Sequence, residues 1–188
     1  LFGPGNEMDA FRIAFRIPNI LRDLFAEGAM SAAFVPAFTR RLATEGHGAA
    51  LKLGLNVTNA LLVITGALMV AGILFARPLV YPFVTDEYAA IPGQIELTVL
   101  LTRILMPYLA FIAVAAAAMA MLNALHHFFL PALSSGVFHV DTIALMVLLV
   151  PVMPEFGLPA IAAIAIATTA GGFAQWAMQM PPLRKEGF

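Results

Sequence analysis

Three stretches without a charged residue are each long enough to cross a lipid bilayer, and they constrain the fold more than any other feature. They comprise residues 53–76, 104–125 and 156–183. A transmembrane helix needs about 20 mainly apolar residues. All three stretches are far longer than strands and lack the alternation that a half-buried strand shows. The sequence therefore predicts helices that span a membrane.

Two further segments complete the predicted bundle. Residues 130–151 are apolar but hold His139 and Asp141 near their middle, and residues 8–41 are apolar with charged interruptions. We therefore predict an all-α, polytopic integral membrane bundle with five transmembrane helices. Their approximate bounds are residues 8–41, 51–80, 95–125, 130–151 and 157–182.

The composition supports this class and excludes several others. Hydrophobic residues make up 61% of the chain and charged residues 11%, whereas soluble domains carry about 25% charged residues. The mean hydropathy is +0.91. The net charge of −1 and the absence of a basic run argue against nucleic acid as a partner. No cysteine is present, so disulfides and thiolate chemistry are excluded.

The distribution of basic residues predicts the orientation of the chain in the membrane. The first connection carries Arg40, Arg41 and Lys52, and the tail carries Arg184 and Lys185. Because cytoplasmic loops are enriched in Lys and Arg, both are expected in the cytoplasm.

The chain starts in a turn without methionine and ends in what reads as a loop. We therefore expect residues 1–188 to form a single membrane-domain fragment.

The first predicted helix carries too many charges to face lipid. A charge at the centre of a membrane helix costs roughly 2.5–3.5 kcal/mol, and each Leu, Ile or Phe returns only about 0.3–0.6 kcal/mol. Such side chains must pair, extend to the interface or line a wet cavity. The charged positions are Asp9, Arg12, Arg16, Arg22, Asp23 and Glu27.

Helical spacing groups three of these charges on one face. Asp9, Arg12 and Arg16 follow at i, i+3 and i+7, whereas the direction of Arg22 is obscured by Pro18. Pro36 is also expected inside this helix. Two interpretations stay open: internal ion pairs that stabilise a bundle, or a cationic cavity for an anionic substrate. Arginine suits the second because its planar donors match phosphate.

Other polar residues indicate no catalytic or metal chemistry. His126 and His127 are adjacent and diverge on a helix, and His139 and Asp141 also diverge. No role is assigned to these four residues. Neither a nucleophile–base pair nor a metal-ligand spacing occurs, so the sequence predicts neither an enzyme nor a cofactor.

The segment DAFRIAFRIPNILRDLFAEGAMSAAFVPAF, residues 9–38, resembles the second-helix signature of the MurJ/MviN lipid II flippases. Weaker similarities follow at Pro107-Tyr108, at LNALHHFFLPAL and at GGFAQWAMQMPPLRKEGF. The resemblance covers the whole chain but only helices two to six of a family with roughly fourteen. It implies the multidrug/oligosaccharidyl-lipid/polysaccharide exporter superfamily, in which two bundles alternate access to a central cavity.

The resemblance also implies a substrate and site residues. The family carries the undecaprenyl-pyrophosphate-linked peptidoglycan precursor, lipid II, to the outer leaflet of the bacterial cytoplasmic (inner) membrane. Asp9, Arg16, Arg22 and Glu27 match family positions and are the expected substrate-binding residues. The expected partners are this substrate, membrane lipids and the missing remainder of the chain. Coupling to the membrane potential or to a cation is compatible with the resemblance.

Departures from the family pattern and two other functions stay open. Arg12, Asp23 and His127 replace an apolar residue and two basic residues of the pattern. One alternative is a related exporter of another polyprenyl-linked glycan or of a drug. The other is a non-transporting scaffold whose charges only form ion pairs, such as one between Asp9 and Arg22. The fragment is not expected to transport anything alone.

Overall fold

The computed structural model describes residues 5–24 and 32–188, and this part of the chain is helical without any strand. Three of its helices, α3, α6 and α7, are long and apolar enough to cross a membrane. The helices are α1 (Asn6–Arg22), α2 (Val35–Glu45), α3 (His47–Leu74), α4 (Ala76–Val80), α5 (Asp86–Ala89), α6 (Gln94–Ala124), α7 (Phe129–Leu149) and α8 (Ala162–Lys185). Short 3₁₀ turns occupy Tyr81–Phe83 and Met153–Phe156.

Helix α6 lies at the centre of the bundle. Helices α1, α3 and α8 all pack against it, whereas α7 packs mainly against α8. Small side chains in the second half of α6, such as Ala113 and Ala117, are fully buried. Since small residues let helix backbones approach closely in membranes, this stretch of α6 can contact several neighbours at once.

Two adjacent glycines set the packing of α8. A Cβ atom added at Gly171 would lie 2.6 Å from Oγ1 of Thr142 and 3.2 Å from the carbonyl oxygen of Phe138, both on α7. A Cβ atom at Gly172 would lie 2.9 Å from the Tyr108 ring of α6. Helix α8 therefore sits between α6 and α7 at distances that a larger residue would prevent.

Several boundaries differ from those expected from the sequence. The helix expected over residues 51–80 begins at His47 and is interrupted at Phe75, after which α4 begins. Pro36, expected inside the first helix, lies instead in the first turn of α2, where the missing N–H costs no hydrogen bond.

The C-terminal helix differs most. It begins at Ala162 rather than near residue 157, and it continues through Pro181 and Pro182 to Lys185. The expectation of a loop beyond this helix was wrong for residues 183–185, which α8 includes. Leu183 is fully buried in a core cluster with residues of α3 and α6. Its burial stabilises a turn that the two prolines would otherwise disfavour.

One end of the bundle is joined by a cluster of ionisable side chains, which we call the tail cluster. Nε2 of His127 lies 2.9 Å from Oε1 of Glu186, and Nε2 of His47 lies 3.3 Å from its Oε2. Nε2 of His47 also lies 2.9 Å from the main-chain carbonyl oxygen of Glu186. The tail cluster brings together the start of α3, the α6–α7 connection and the end of α8.

The opposite end is joined by neutral polar groups. The amide of Gln94 donates to the carbonyl oxygen of Asn6 and, over 3.1 Å, to the hydroxyl of Tyr88. That hydroxyl lies 2.6 Å from Oγ1 of Thr98. The starts of α1 and α6 therefore meet at this end, far from the tail cluster.

Candidate site: a charged face and a polar cavity

Helix α1 separates an apolar buried face from a charged open face. Ala10 and Ala14 are fully buried in a core cluster with residues of α6. The charged side chains Asp9, Arg12 and Arg16 lie on the opposite, exposed face. The spacing that grouped these three residues therefore corresponds to a face that no other described helix of this chain covers.

The charges on this open face interact only weakly with the rest of the chain. Nη1 of Arg12 lies 3.6 Å from Oδ1 of Asp9, and their side chains are 71% and 53% exposed. The Arg16 guanidinium lies 5.7 Å from the centre of the Phe83 ring. Exposed pairs of this kind contribute about 0–1 kcal/mol, so the face is held in place by the helix rather than by its ion pairs.

Arg22 points to a different side of α1 and lines a cavity. The helix continues through the buried Pro18, and Arg22 lies beside Tyr108 of α6, with whose hydroxyl it interacts. Its Nη2 lies 2.7 Å from Oδ1 of Asp23. The Arg22 side chain is 29% exposed. The guanidinium is therefore half-enclosed, with a carboxylate at the outer side and an aromatic hydroxyl at the inner side.

The cavity beside Arg22 has a volume of about 260 Å³ and is formed by four helices. Polar groups of α1, α6, α7 and α8 line it, and apolar residues of α6 and α7 complete it. The lining residues are Arg22, Tyr108, Ile112, Ala116, Met119, Ser135, Phe138, His139 and Gln175. We call this space the Arg22 cavity.

A chain of aromatic rings supports one wall of the cavity. The ring centre of Tyr108 lies 5.6 Å from that of Phe15 on α1 and 6.0 Å from that of Phe138 on α7. His139 follows, with its ring edge-on to Phe138 at 5.2 Å. Ring pairs at these separations stabilise one another. Tyr108 is therefore fixed between the helices that carry Arg22 and His139.

The predicted site residues do not converge on one point within this chain. Asp9 and Arg16 lie on the open face, Arg22 lies in the cavity, and Glu27 falls outside the described residues. Asp9 and Arg22 are 13 positions apart on one helix, or about 20 Å at 1.5 Å per residue. The scaffold interpretation paired these two residues with each other, and that pairing was wrong, since Asp9 pairs with Arg12 and Arg22 with Asp23.

Two lining residues had no predicted role. Tyr108 and Gln175 belong to segments already noted for their resemblance, but no residue pattern indicated that both face Arg22. His139 is on the cavity side of α7, whereas Asp141 lies on another side and makes no hydrogen bond or ion pair within the described residues. Across residues 5–24 and 32–188, no cluster of three His, Asp or Glu side chains has metal-binding geometry.

Comparisons with known proteins all indicate one family. A family model described as "Lipid II flippase MurJ" matches residues 1–188. The lipid II flippase MurJ of Burkholderia cenocepacia is 37% identical over 98% of this chain and 35% of its own length. The probable lipid II flippase MurJ of Vibrio cholerae is 34% identical over 100% of this chain and 36% of its own.

A solved structure gives the same family. The lipid II flippase MurJ in an inward closed conformation superposes with a TM-score of 0.72 and 27% identity, over 96% of this chain and 36% of that one. The chain therefore spans about a third of the length of the relatives that it matches.

Proposed function

The chain belongs to the lipid II flippase MurJ family, and from that premise we propose that it forms part of a transporter that moves lipid II from the cytoplasmic to the outer leaflet. The observation that carries this proposal is Arg22, a cation within the helical bundle that lines a polar cavity. The family is one of membrane transporters, and the proposal requires no enzymatic step. Because the chain spans about a third of its relatives, this segment is expected to be inactive alone.

The physical basis of substrate binding is charge complementarity. A diphosphate is an anion whose oxygens accept hydrogen bonds, and arginine donates to such oxygens in pairs. A cation in a membrane span is costly unless it has partners. An anionic headgroup is therefore expected to bind most favourably where the protein already holds such a cation, as it does at Arg22.

The open face of α1 is the proposed entrance to the central cavity. Asp9 and Arg16 lie on that face and are left uncovered by the described helices of this chain. We propose that the remainder of the protein encloses this face, so that Asp9, Arg16, Arg22 and Glu27 all contact substrate at some stage of alternating access. In this scheme Asp9 limits how long the anion is held, because its carboxylate repels the diphosphate.

The proposed location is the bacterial cytoplasmic membrane, which the chain crosses several times. Three connections meet in the tail cluster, and the two of them that carry Lys or Arg hold five such residues. This end is therefore assigned to the cytoplasm by the positive-inside rule. We propose no metal or organic cofactor; coupling to the membrane potential or to a cation gradient would supply the energy.

The test is growth rescue by a chimera. Residues 1–188 would replace the matching segment of the Burkholderia cenocepacia lipid II flippase MurJ, in cells depleted of their own flippase. Rescue is expected, with its loss on Arg22→Ala and on Asp9→Ala. Arg103→Ala is the matched control, because Arg103 is an exposed arginine of α6 that bonds the carbonyl oxygen of Ile73. Membrane levels of every variant would be compared by blotting.

The same assay separates the other functions. A well-expressed chimera that fails to rescue would contradict lipid II transport and favour a different polyprenyl-linked glycan or a drug. Rescue that survives both Arg22→Ala and Asp9→Ala would favour the scaffold interpretation. Flipping of lipid II by the isolated 188-residue chain in liposomes would contradict the requirement for the rest of the protein.

A further inference from the structure

A second concavity of the bundle lies apart from the Arg22 cavity and differs from it in chemistry. It has a volume of about 350 Å³, and every residue that lines it is apolar. Helices α1, α3 and α4, the 3₁₀ turn after α4, and Met106 of α6 form its walls. We call this space the outer groove. A phosphate or a sugar would find no hydrogen-bond partner among these side chains, so the outer groove suits a hydrocarbon chain.

A glycine brings two helices together at the base of the outer groove. A Cβ atom added at Gly72 on α3 would lie 2.7 Å from Sδ of Met106, whose side chain is 1% exposed. The rims, in contrast, stay open, since Ile20 on α1 is 48% exposed and Phe75 after α3 is 60% exposed. Close contact at the base and separation at the rims leave a groove that the described helices do not cover.

The outer groove lies in the half of the bundle opposite the tail cluster. Helix α3 begins at His47, which belongs to the tail cluster, and the groove is formed by the last two turns of this helix and by α4. The tail cluster is assigned above to the cytoplasmic end. The outer groove is therefore at the level of the outer leaflet of the membrane.

A cation stands at the edge of the outer groove. The Arg16 guanidinium lies 5.7 Å from the centre of the Phe83 ring, and Phe83 lines the groove. Ile20 also lines it and follows Arg16 by one turn of α1. The outer groove is therefore continuous with the open face of α1. An anionic headgroup beside Arg16 would bring the hydrocarbon chain attached to it to this edge.

We propose that the outer groove holds the polyprenyl chain of lipid II once its headgroup has moved towards the outer leaflet, with Arg16 beside the diphosphate. This inference rests on the proposed function and assigns a tail-binding role to residues outside the Arg22 cavity. The cation at the edge favours lipid II over an ordinary phospholipid, because Arg16 lies on the face of α1 that is proposed to enclose the substrate.

The outer groove is expected to position the chain rather than to supply most of the affinity. Lipid tails are as apolar as the side chains that line it, so no hydrophobic driving force favours transfer from the bilayer. The gain comes from dispersion contacts, each of which is small. A substitution that fills the groove should therefore weaken binding modestly.

The test measures Kd values of the purified chimera for two probes, lipid II and its water-soluble headgroup without the hydrocarbon chain. Ala71 lines the outer groove from α3, so Ala71→Trp fills the groove with an indole. We expect the Kd for lipid II to rise about fivefold, because packing contacts with the chain are lost. The Kd for the headgroup should stay unchanged.

Ala60→Trp is the matched control, since Ala60 is an exposed alanine three turns earlier on the same face of α3 and lies outside the groove. It should change neither Kd. Leu79→Trp fills the groove from α4 and should repeat the effect of Ala71→Trp. Its control is Leu74→Trp, because Leu74 is 68% exposed and does not line the groove. All four positions are exposed, so each variant should keep the melting temperature of the unsubstituted chimera.

Two further measurements separate the other occupants of the outer groove. Dioleoyl phosphatidylglycerol retained by the chimera would be counted by mass spectrometry. If Ala71→Trp and Leu79→Trp release this phospholipid but leave the Kd for lipid II unchanged, the groove binds phospholipid and the proposal is wrong. If both variants lower the melting temperature without changing that Kd, another part of the protein covers the groove and the proposal is again wrong.

The probes also distinguish this inference from the proposed function. If the unsubstituted chimera binds lipid II and the free headgroup with equal Kd, the chain contributes nothing, so the tail-binding role fails and the proposed function stands. If it binds neither probe, the proposed function fails and the tail-binding role fails with it.

Discussion

Similar polar side chains have protein partners in the tail cluster but face an open space in the Arg22 cavity. In the tail cluster, one carboxylate oxygen of Glu186 lies 2.9 Å from Nε2 of His127 and the other lies 3.3 Å from Nε2 of His47, so each group has a protein partner. In the cavity, His139 and Gln175 face a space rather than a protein partner. The comparison shows that the ionisable groups of the tail cluster are paired across helix ends, whereas His139 and Gln175 line the cavity without a hydrogen bond to the described residues.

The largest expected effect comes from a substitution that disrupts the wall of the Arg22 cavity and leaves the tail cluster unchanged. Gly171→Leu places a side chain against the α7 backbone at Phe138. Overpacking against backbone should lower the free energy of unfolding by about 3 kcal/mol, measured by thermal unfolding of the chimera in detergent. Gly136→Leu is the control, since a Cβ there has no neighbour within 4 Å. Equal effects of the two variants would contradict the close α7–α8 packing.

Removing the charge from the cavity should act on binding rather than folding. Arg22→Gln is expected to raise the Kd for lipid II about 30-fold, or roughly 2 kcal/mol, the range of hydrogen bonds to charged groups. Arg103→Gln should leave the Kd unchanged, because its guanidinium bonds the carbonyl of Ile73 outside the cavity. Binding measured at two salt concentrations would show whether the lost contribution is electrostatic.

A substitution in the tail cluster should change stability rather than ligand binding. Glu186→Gln removes the negative charge that both histidines face, and we expect a loss of about 1 kcal/mol in the free energy of unfolding. The Kd for lipid II should not change. Glu45→Gln is the control, since its ion pair with Arg41 is about half exposed and contributes about 0.3–0.5 kcal/mol. A change in Kd without a change in stability would contradict a structural role for the tail cluster.

The smallest effect is expected at the edge of the cavity. Asp23 lies 2.7 Å from Arg22 and is 51% exposed, so it competes with an anionic ligand for the guanidinium. Asp23→Asn should lower the Kd for lipid II about threefold, an effect typical of an exposed charge. The gain should shrink as salt is added. Asp86→Asn, on α5, is expected to have no effect.

The all-α membrane fold was predictable from the sequence because its signal is local. The apolar runs of α6 and α7 define these helices to within two residues of the expected bounds. The similarity to a solved flippase confirms the fold class. The number of membrane crossings stays a prediction, since three helices of the described residues meet the length and hydropathy criteria.

The tail of α8 was not predictable because packing overrides a local signal there. Pro181 and Pro182 favour a loop when read from the sequence. Leu183, however, is fully buried against α3 and α6, and no pattern within the tail itself encodes that contact.

The site was predictable only in part. Asp9 and Arg16 were grouped by helical spacing, and both lie on one exposed face. The direction of Arg22 depends on whether a helix continues through Pro18, which spacing alone does not decide. Gln175 is an ordinary residue of an apolar helix, and its availability depends on how three other helices pack around it.

The one-sided attachment of α7 has a practical consequence. This helix packs mainly against α8, and its outer surface, including Val140 and Ile143, is 69% and 60% exposed. Because the chain contains no cysteine, a thiol introduced at Val140 would be unique within these 188 residues. A spin label there would stand opposite the cavity side of the same helix, and its distance to a second label on α3 would record any displacement of α7 during a transport cycle.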